Sequence, residues 1–218
     1  MEATIFAGLC AAVVGYLLGS VSFAVIVSRI YAKDDVRNYG SHNAGMTNVL
    51  RVYGVLPAFF TLLGDFGKGI LAVALGRMIF HAFGITGMDA GYISGLAALL
   101  GHLFPLWFGF RGGKGVLTSI GILLAINPPV MVIILVLLIP FVLVVRIVSL
   151  ASITGAVLYP LLTYMMKVYL GEPALLDTIF ALIFAGLVIW MHRSNIKRLL
   201  NGTEKRLTLP KKEDKNKK

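Results

Sequence analysis

The sequence predicts an all-α integral membrane protein with about seven transmembrane helices. Three observations carry that prediction. Of 218 residues, 58% are hydrophobic and only 14% are charged, which leaves too little polar surface to cover a soluble domain of this size. Apolar runs of span length recur, among them the 21 residues Ala90–Phe110 and the 31 residues Gly115–Val145, both without Asp, Glu, Lys or Arg. The basic residues gather in alternate loops, the pattern that orients membrane proteins.

The spans follow in order, each needing about 20 apolar residues. Ala3–Ser28 is the first. The flank before it, Met1-Glu2-Ala3-Thr4, lacks the cations of a cleaved signal peptide, so the segment is read as retained. Gly54–Phe80 is the second, interrupted by Asp65, Lys68 and Arg77. Ala90–Phe110 is the third. Gly115–Val145 is too long for one span, at roughly 46 Å if straight. Asn127-Pro128-Pro129 breaks it, which gives a short fourth span near Gly113–Ile126 and a fifth near Pro128–Val145. Ser149–Met166 and Ala174–His192 are the sixth and seventh.

Seven spans place the N-terminus outside and the C-terminus in the cytoplasm. The expected inner loops then hold Lys33, Arg37 and Arg51, then Arg111 and Lys114, then Arg146, then everything from Arg193 onward. The expected outer loops hold Asp89 and Glu172, with His81 and Asn127. Residues 1–204 are read as one transmembrane domain. Residues 205–218 are read as a basic, disordered cytoplasmic tail, which carries part of the formal net charge of +10. The single cysteine, Cys10, excludes an intramolecular disulfide.

The polar chemistry falls in three inner loops. Arg111-Gly112-Gly113-Lys114-Gly115 is a glycine-rich basic turn. Glycines let a backbone approach a ligand closely, and exposed N–H groups bind oxyanions. It is not a nucleotide-hydrolysing P-loop, because Phe108 stands at the first glycine position and Gly115 follows Lys114 where Ser or Thr is required. Two readings remain: a phosphate cradle at the start of a helix, or a tight turn whose cations only orient the chain. The loop from Tyr39 to Arg51 combines Ser41, Asn43, Gly45, Asn48 and Arg51, which either surround an anion or form an ordinary polar connection. The segment Met191–Glu204 holds His192, Asn195, Arg198 and Glu204. It reads as a site or as a snorkelling basic helix end.

Asp65 and Lys68, three apart in the second span, share a face and can pair. Charges inside a membrane usually mark function, although an orienting ion pair accounts for them too. His102 lies near the inner end of the third span, just ahead of Pro105. No His-x-x-x-x-Asp and no Gly-x-Ser-x-Gly occurs, so two common acyl-transfer signatures are missing. Neither a metal nor a cofactor is expected, since no Cys/His cluster has ligand spacing and acidic residues are scarce.

Taken together, the loops resemble the motifs of the bacterial acyl-phosphate:glycerol-3-phosphate acyltransferases, the PlsY family. The family patterns are roughly Gly-Ser-Gly-Asn-x-Gly-x-x-Asn-x-x-Arg, Gly-His-x-x-Pro-x-x-x-x-Phe-x-Gly-Gly-Lys-Gly and Arg-His-x-x-Asn-x-x-Arg-x-x-x-Gly-x-Glu. The corresponding segments are Gly40–Arg51, Gly101–Gly115 and Met191–Glu204. Asp65-Phe66-Gly67-Lys68-Gly69 and Val148-Ser149-Leu150 also resemble family segments, the latter around an active-site serine. Three positions depart: His42 replaces a glycine, Met191 an arginine, and Arg111 a common lysine.

The resemblance implies a seven-span enzyme of the bacterial inner membrane with cytoplasmic active-site loops. It would move a fatty acyl group from acyl phosphate to the 1-hydroxyl of glycerol 3-phosphate, as a step of phospholipid synthesis. Its partners would be the two substrates and membrane lipids, without nucleic acid; the oligomeric state stays open. By the same resemblance Ser41, Arg51, Lys114, Ser149, His192 and Asn195 are the catalytic candidates. Asn43, Gly45, Asn48, Gly112, Gly113, Gly115 and Arg198 are candidates for phosphate binding. Asp65, Lys68, His102 and Glu204 are supporting residues. An organophosphate transporter is the alternative of a different class, but it would bind near the bilayer midplane. A structural subunit that binds anionic lipid is the third reading.

Overall fold

The computed structural model describes residues 1–207, so all but the first three residues of the expected tail lie outside the described residues. Those residues form ten α-helices and two short 3-10 turns, and no strand. The first expected span is two helices, α1 (Glu2–Gly19) and α2 (Phe23–Ala32), separated at Ser20–Ser22. After α2, Lys33 takes a left-handed conformation with φ 54° and ends the helix. A short amphipathic helix, α3 (Met46–Tyr53), precedes the long α4 (Val55–Ala82), and Gly54 makes the corner between them with φ 92°.

Helix α5 (Gly91–Leu103) stops ahead of Pro105, which bars the preceding residue from helical geometry. Helix α6 (Val116–Ile126) ends at Asn127, whose side chain accepts from the Val130 N–H and caps α7 (Pro128–Val145). Arg146, left-handed at φ 59°, separates α7 from α8 (Val148–Tyr169). Helices α9 (Leu175–Met191) and α10 (Arg193–Leu200) meet at His192 with a 62° bend.

Five segments are long and apolar enough to cross a membrane, or six if the bent α9–α10 pair counts as one span; α1 and α2 together count as one of them. Helix α6 has 11 residues, about 16 Å, and falls short of a bilayer on length alone. Yet its two ends reach opposite polar layers. Lys114, just before it, meets Asn195. Near its other end, the Ala125 carbonyl accepts from Arg77, which pairs with Asp89 by the α4–α5 turn. Helix α6 packs against α4, α5 and α7, which explains why it is apolar around its whole circumference.

Helices approach closely where their faces are small. A Cβ on Gly15 would lie 2.3 Å from the Ser94 carbonyl oxygen, and one on Gly19 would lie 2.1 Å from that of Ala98. In return, Gly101 of α5 meets the Tyr16 carbonyl of α1. Gly69 and Gly121 bring α4 and α6 together in the same way. Such small-residue contacts replace the hydrophobic driving force that lipid does not supply. The main core gathers Val73, Leu99, Ile122, Met131, Tyr159 and Phe184 from α4 to α9.

Cations also occur at the end opposite the glycine-rich turn, where the sequence reading counted only Asp89, Glu172, His81 and Asn127 and overlooked Lys167. Arg77 pairs with Asp89, and Lys167 lies 2.8 Å from Glu172 and 2.9 Å from Asp177. Each is matched by a carboxylate there.

The glycine contacts give a direct test. Gly19→Ala forces a methyl into the Ala98 backbone and should cost about 1–3 kcal/mol, read as a lower melting temperature in detergent. Gly67→Ala, where nothing lies within 4 Å, should leave melting unchanged or raise it slightly.

Candidate active site

The first polar loop is shaped from within by Asn48. This side chain is 2% exposed. Its amide nitrogen faces the carbonyls of Val36, Tyr39 and Asn43 at 3.0–3.1 Å, and its oxygen accepts from the Ser41 N–H at 2.8 Å. Asn48 thereby braces the loop from within, and it also lines the chamber described below. Gly40 turns the chain beside it with φ 65°, and a Cβ there would strike the Asn48 oxygen at 2.3 Å. His42 also holds a left-handed backbone, φ 56°. That is the conformation a glycine adopts freely, which accounts for the glycine in the family pattern. Its Nδ1 faces the Arg37 carbonyl at 3.1 Å.

The second loop differs most from expectation. The Gly112 N–H donates to the Leu103 carbonyl and the Gly113 N–H to the His102 carbonyl, each at 3.2 Å. In this structure the two N–H groups are engaged by the end of α5, so they brace the turn. The glycines also serve close packing. A Cβ on Gly112 would lie 1.9 Å from the His102 oxygen, and one on Gly113 would lie 2.3 Å from His102 Nε2. Gly115, φ 80°, is the N-cap of α6, so Lys114 stands immediately before a helix N-terminus.

Behind this loop lies a buried polar triad. Lys68 Nζ donates to the Val21 carbonyl at 2.7 Å, approaches Asp65 Oδ1 at 2.8 Å and faces His102 Nδ1 at 2.9 Å. The contacts to Val21 and His102 have hydrogen-bond geometry, whereas the approach to Asp65 is a close ion pair. The free carbonyl at the α1–α2 break is satisfied in this way, as lipid demands. His102 Nδ1 also lies 3.5 Å from Asp65 Oδ1, and its Nε2 lies beside Gly113.

Glu204 organises the third cluster. Its Oε1 accepts from Ser149 Oγ at 2.7 Å and Asn195 Nδ2 at 2.6 Å, and its Oε2 accepts from Arg198 Nε at 2.7 Å. One carboxylate thus joins α8 to α10. Burial raises its pKa, but the three donors outweigh that and hold the carboxyl below its usual range. Asn195 in turn accepts from the Lys114 ammonium. Burial first, then the charge of Arg198, brings Lys114 down from 10.5 to about 8; Glu204 opposes the shift and Arg51 adds to it. His192 Nδ1 lies 2.8 Å from the Val188 carbonyl. A carbonyl only accepts, so Nδ1 carries the proton and the neutral ring leaves Nε2 as an acceptor.

These groups surround one cavity of about 620 Å³. Ser41, Arg51, Lys114, Ser149, His192 and Asn195 all line it, as do Asn43, Gly45, Asn48, Gly115, Arg198 and Glu204. Asp65 and His102 form part of its wall, while Gly112, Gly113 and Lys68 lie outside its lining. A second cavity of about 320 Å³ runs between α6, α7, α8 and α9 and is almost wholly apolar. Met46, Val116, Leu117, Val148 and Ser152 line both, so polar chamber and apolar channel are continuous.

Sequence reading overlooked Arg37 except as a loop charge. Its guanidinium grips Asp35 and reaches the carbonyls of Phe108 and Arg111 across to the second loop. The one signal was an Asp two residues before an Arg in a short loop.

Comparison with known proteins agrees with this geometry. A family model described as glycerol-3-phosphate acyltransferase matches residues 9–202. The chain is 42% identical over 203 residues to a glycerol-3-phosphate acyltransferase of Clostridioides difficile (strain 630), covering 93% of this chain and 97% of that relative. It is 41% identical over 196 residues to one of Thermoanaerobacter pseudethanolicus, covering 90% and 93%. Among solved structures it superposes on the glycerol 3-phosphate form of PlsY (YgiH), an integral membrane glycerol 3-phosphate acyltransferase. The TM-score is 0.79 at 35% identity, covering 92% of this chain and 96% of that one. The lysophosphatidic acid form gives a TM-score of 0.76 at 34% identity, with 91% and 94% covered. The chain is an all-helical, multi-pass membrane protein and belongs to the glycerol-3-phosphate acyltransferase family.

Proposed function

We propose that this protein transfers a fatty acyl group from acyl phosphate to the 1-hydroxyl of glycerol 3-phosphate, releasing inorganic phosphate and 1-acyl-glycerol 3-phosphate. One observation carries the reading: a cationic chamber opens directly into an apolar channel between helices. Both proposed substrates carry phosphate, and one also carries a long alkyl chain. Arg51, Lys114 and Arg198 line the chamber and would meet the phosphates. The free N–H groups at the start of α6 add to Lys114 for the donor's leaving group. The acyl chain would lie along Met131, Ile134, Gly155 and Phe184 in the channel.

In the transfer, glycerol O1 bonds to the acyl carbon as the bond from that carbon to the phosphate oxygen breaks. The donor is already activated, so no protein nucleophile is required; positioning and charge stabilisation supply the catalysis. The proton of O1 passes to His192 Nε2, which the Val188 carbonyl leaves as an acceptor, or to an oxygen of the departing phosphate. Ser149 and Asn195, held by Glu204, would orient the acceptor. We further propose that the chamber faces the cytoplasm of a bacterial inner membrane, with α6 as a short seventh span and the N-terminus outside. In support, Arg51, Arg111, Lys114 and Arg198 all lie toward the chamber end, and the far-side cations are paired.

The decisive assay measures phosphate release and acyl incorporation by the purified protein, given acyl phosphate with and without glycerol 3-phosphate. Acyl-CoA serves as the competing donor. Activity with acyl-CoA alone, or none with acyl phosphate, would refute the proposal. Lys114→Ala should remove activity while melting stays near wild type. The lost charge-assisted contact is about 1.5–3 kcal/mol in binding, and near-normal turnover would reject the assignment.

Acidity gives a second prediction. Lys114 is charged below about 8 and neutral above, and only the charged form attracts phosphate. kcat/KM, which reports the free enzyme, should therefore decline as pH rises through about 8. Lys114→Arg, if active, should lack that limb. In the channel, Gly155 already lies so close to Leu138 and Ile134 that an added Cβ would meet them at 2.9 and 3.6 Å. Gly155→Leu should lower activity with long acyl chains more than with short ones, measured across a donor series.

A further inference from the structure

We propose that Asp35 and Arg37 form a clamp that joins the first and second polar loops, so that the two phosphate sites take shape together; Arg37 is a positioning residue. The inference rests on the acyl-transfer reading above. It goes beyond that reading by naming what keeps the two loops in register.

The geometry is specific. Asp35 accepts from Arg37 Nε at 2.9 Å on Oδ1 and from the terminal NH2 at 2.8 Å on Oδ2, a bidentate grip. With two donors committed to Asp35, the remaining terminal nitrogen points away. It donates to the Phe108 carbonyl at 2.7 Å and the Arg111 carbonyl at 2.9 Å. Arg111 is three residues before Lys114. The Arg37 backbone carbonyl also faces His42 Nδ1. One residue therefore touches the rim of the first loop and the base of the second.

This is not an ordinary surface ion pair. The Arg37 and Asp35 side chains are 16% and 15% exposed. Arg29 reaches the same carboxylate from outside with 57% of its side chain exposed, and it makes no hydrogen bond to the second loop among the described residues. Asp35 is held down to about 2, chiefly by its hydrogen bonds from Arg37, so the pair remains ionised at any pH suited to an assay. Lysine cannot replace Arg37, since one ammonium cannot grip a carboxylate at two points and reach two carbonyls on the far side.

In the proposed reaction Lys114 of the second loop meets the donor's phosphate, and under the clamp proposal the first loop is assigned to glycerol 3-phosphate. The first carries Ser41 and Arg51, the second Lys114. Loosening the clamp should therefore weaken both sites while leaving the reacting groups intact. The test uses the purified full-length protein and measures KM for acyl phosphate and for glycerol 3-phosphate, kcat, and melting temperature. Arg37→Lys should raise both KM values by about tenfold, with kcat within about threefold of wild type. Asp35→Asn should do the same. The double variant should be no worse than Arg37→Lys, because both residues act as one unit. Arg29→Gln should leave both KM values unchanged.

A folded Arg37→Lys with either KM at its wild-type value would overturn the proposal. So would a loss in kcat alone, additive effects in the double variant, or an equal KM rise in Arg29→Gln. If Arg37→Lys does not fold, Asp35→Asn decides by the same criteria. Absence of acyl transfer by the wild-type protein would instead refute the proposed function and is recognised before any variant is compared.

Discussion

A buried ammonium anchors the architecture. Lys68 ties three places together: it hydrogen-bonds the Val21 carbonyl at the α1–α2 break and His102 on α5, and it pairs with Asp65 on its own helix. Removing any acceptor would leave a charged group unsatisfied in a medium that offers no water. The break in the first helix, α4 and α5 are tied together at this one group. Because the His102 and Leu103 carbonyls receive the Gly113 and Gly112 N–H groups, the glycine-rich turn rests on the same foundation. The position of Lys114 therefore begins some distance away, at a lysine that does not line the chamber.

The electrostatic logic of the chamber is an arranged surplus. Arg51, Lys114, Arg193, Arg198 and Lys205 line it, against Glu204 and Asp65. Asp65 is paired with Lys68, so Glu204 is the counterweight on the open side. It holds Ser149, Asn195 and Arg198 in place while leaving net positive charge unanswered. Burial above all, and then the charge of Arg198, depresses the Lys114 ammonium, so part of that shift records mutual repulsion among the cations. A bound dianion would relieve it, which is why cations in such a setting point to phosphate.

Much of this was legible in the sequence. Hydropathy and Asn127-Pro128-Pro129 located most helices, because lipid enforces long apolar runs and prolines interrupt them for local steric reasons; the third span, read through Pro105 to Phe110, ends as a helix at Leu103. The three polar loops were recognisable, and the expectation that Arg51, Lys114 and Asn195 converge holds in one cavity. Helix α6 shows where such reading stops: length alone cannot say that a short apolar helix is surrounded by α4, α5 and α7. The hydrogen-bond partners were also hidden. Gly112 and Gly113 look like anion donors in a linear motif, yet their N–H groups are turned to α5. Asn48 lines the chamber, but its bracing bonds to three carbonyls could not be read from the motif. Arg37 reads as one loop charge among several, since its partners are backbone carbonyls more than 70 residues away, and carbonyls leave no trace in side-chain composition.

The shared wall of the two cavities has a consequence for traffic. Met46, Val116, Leu117, Val148 and Ser152 border water-accessible chamber and greasy channel alike, so a molecule with a charged head and a long tail can occupy both without passing through the aqueous phase. In the proposed reaction the two products would then part by affinity for their surroundings. Inorganic phosphate can depart only into solution, whereas the acylated product can slide sideways into the leaflet. Separate exits would let the site empty without either product blocking the other's way out.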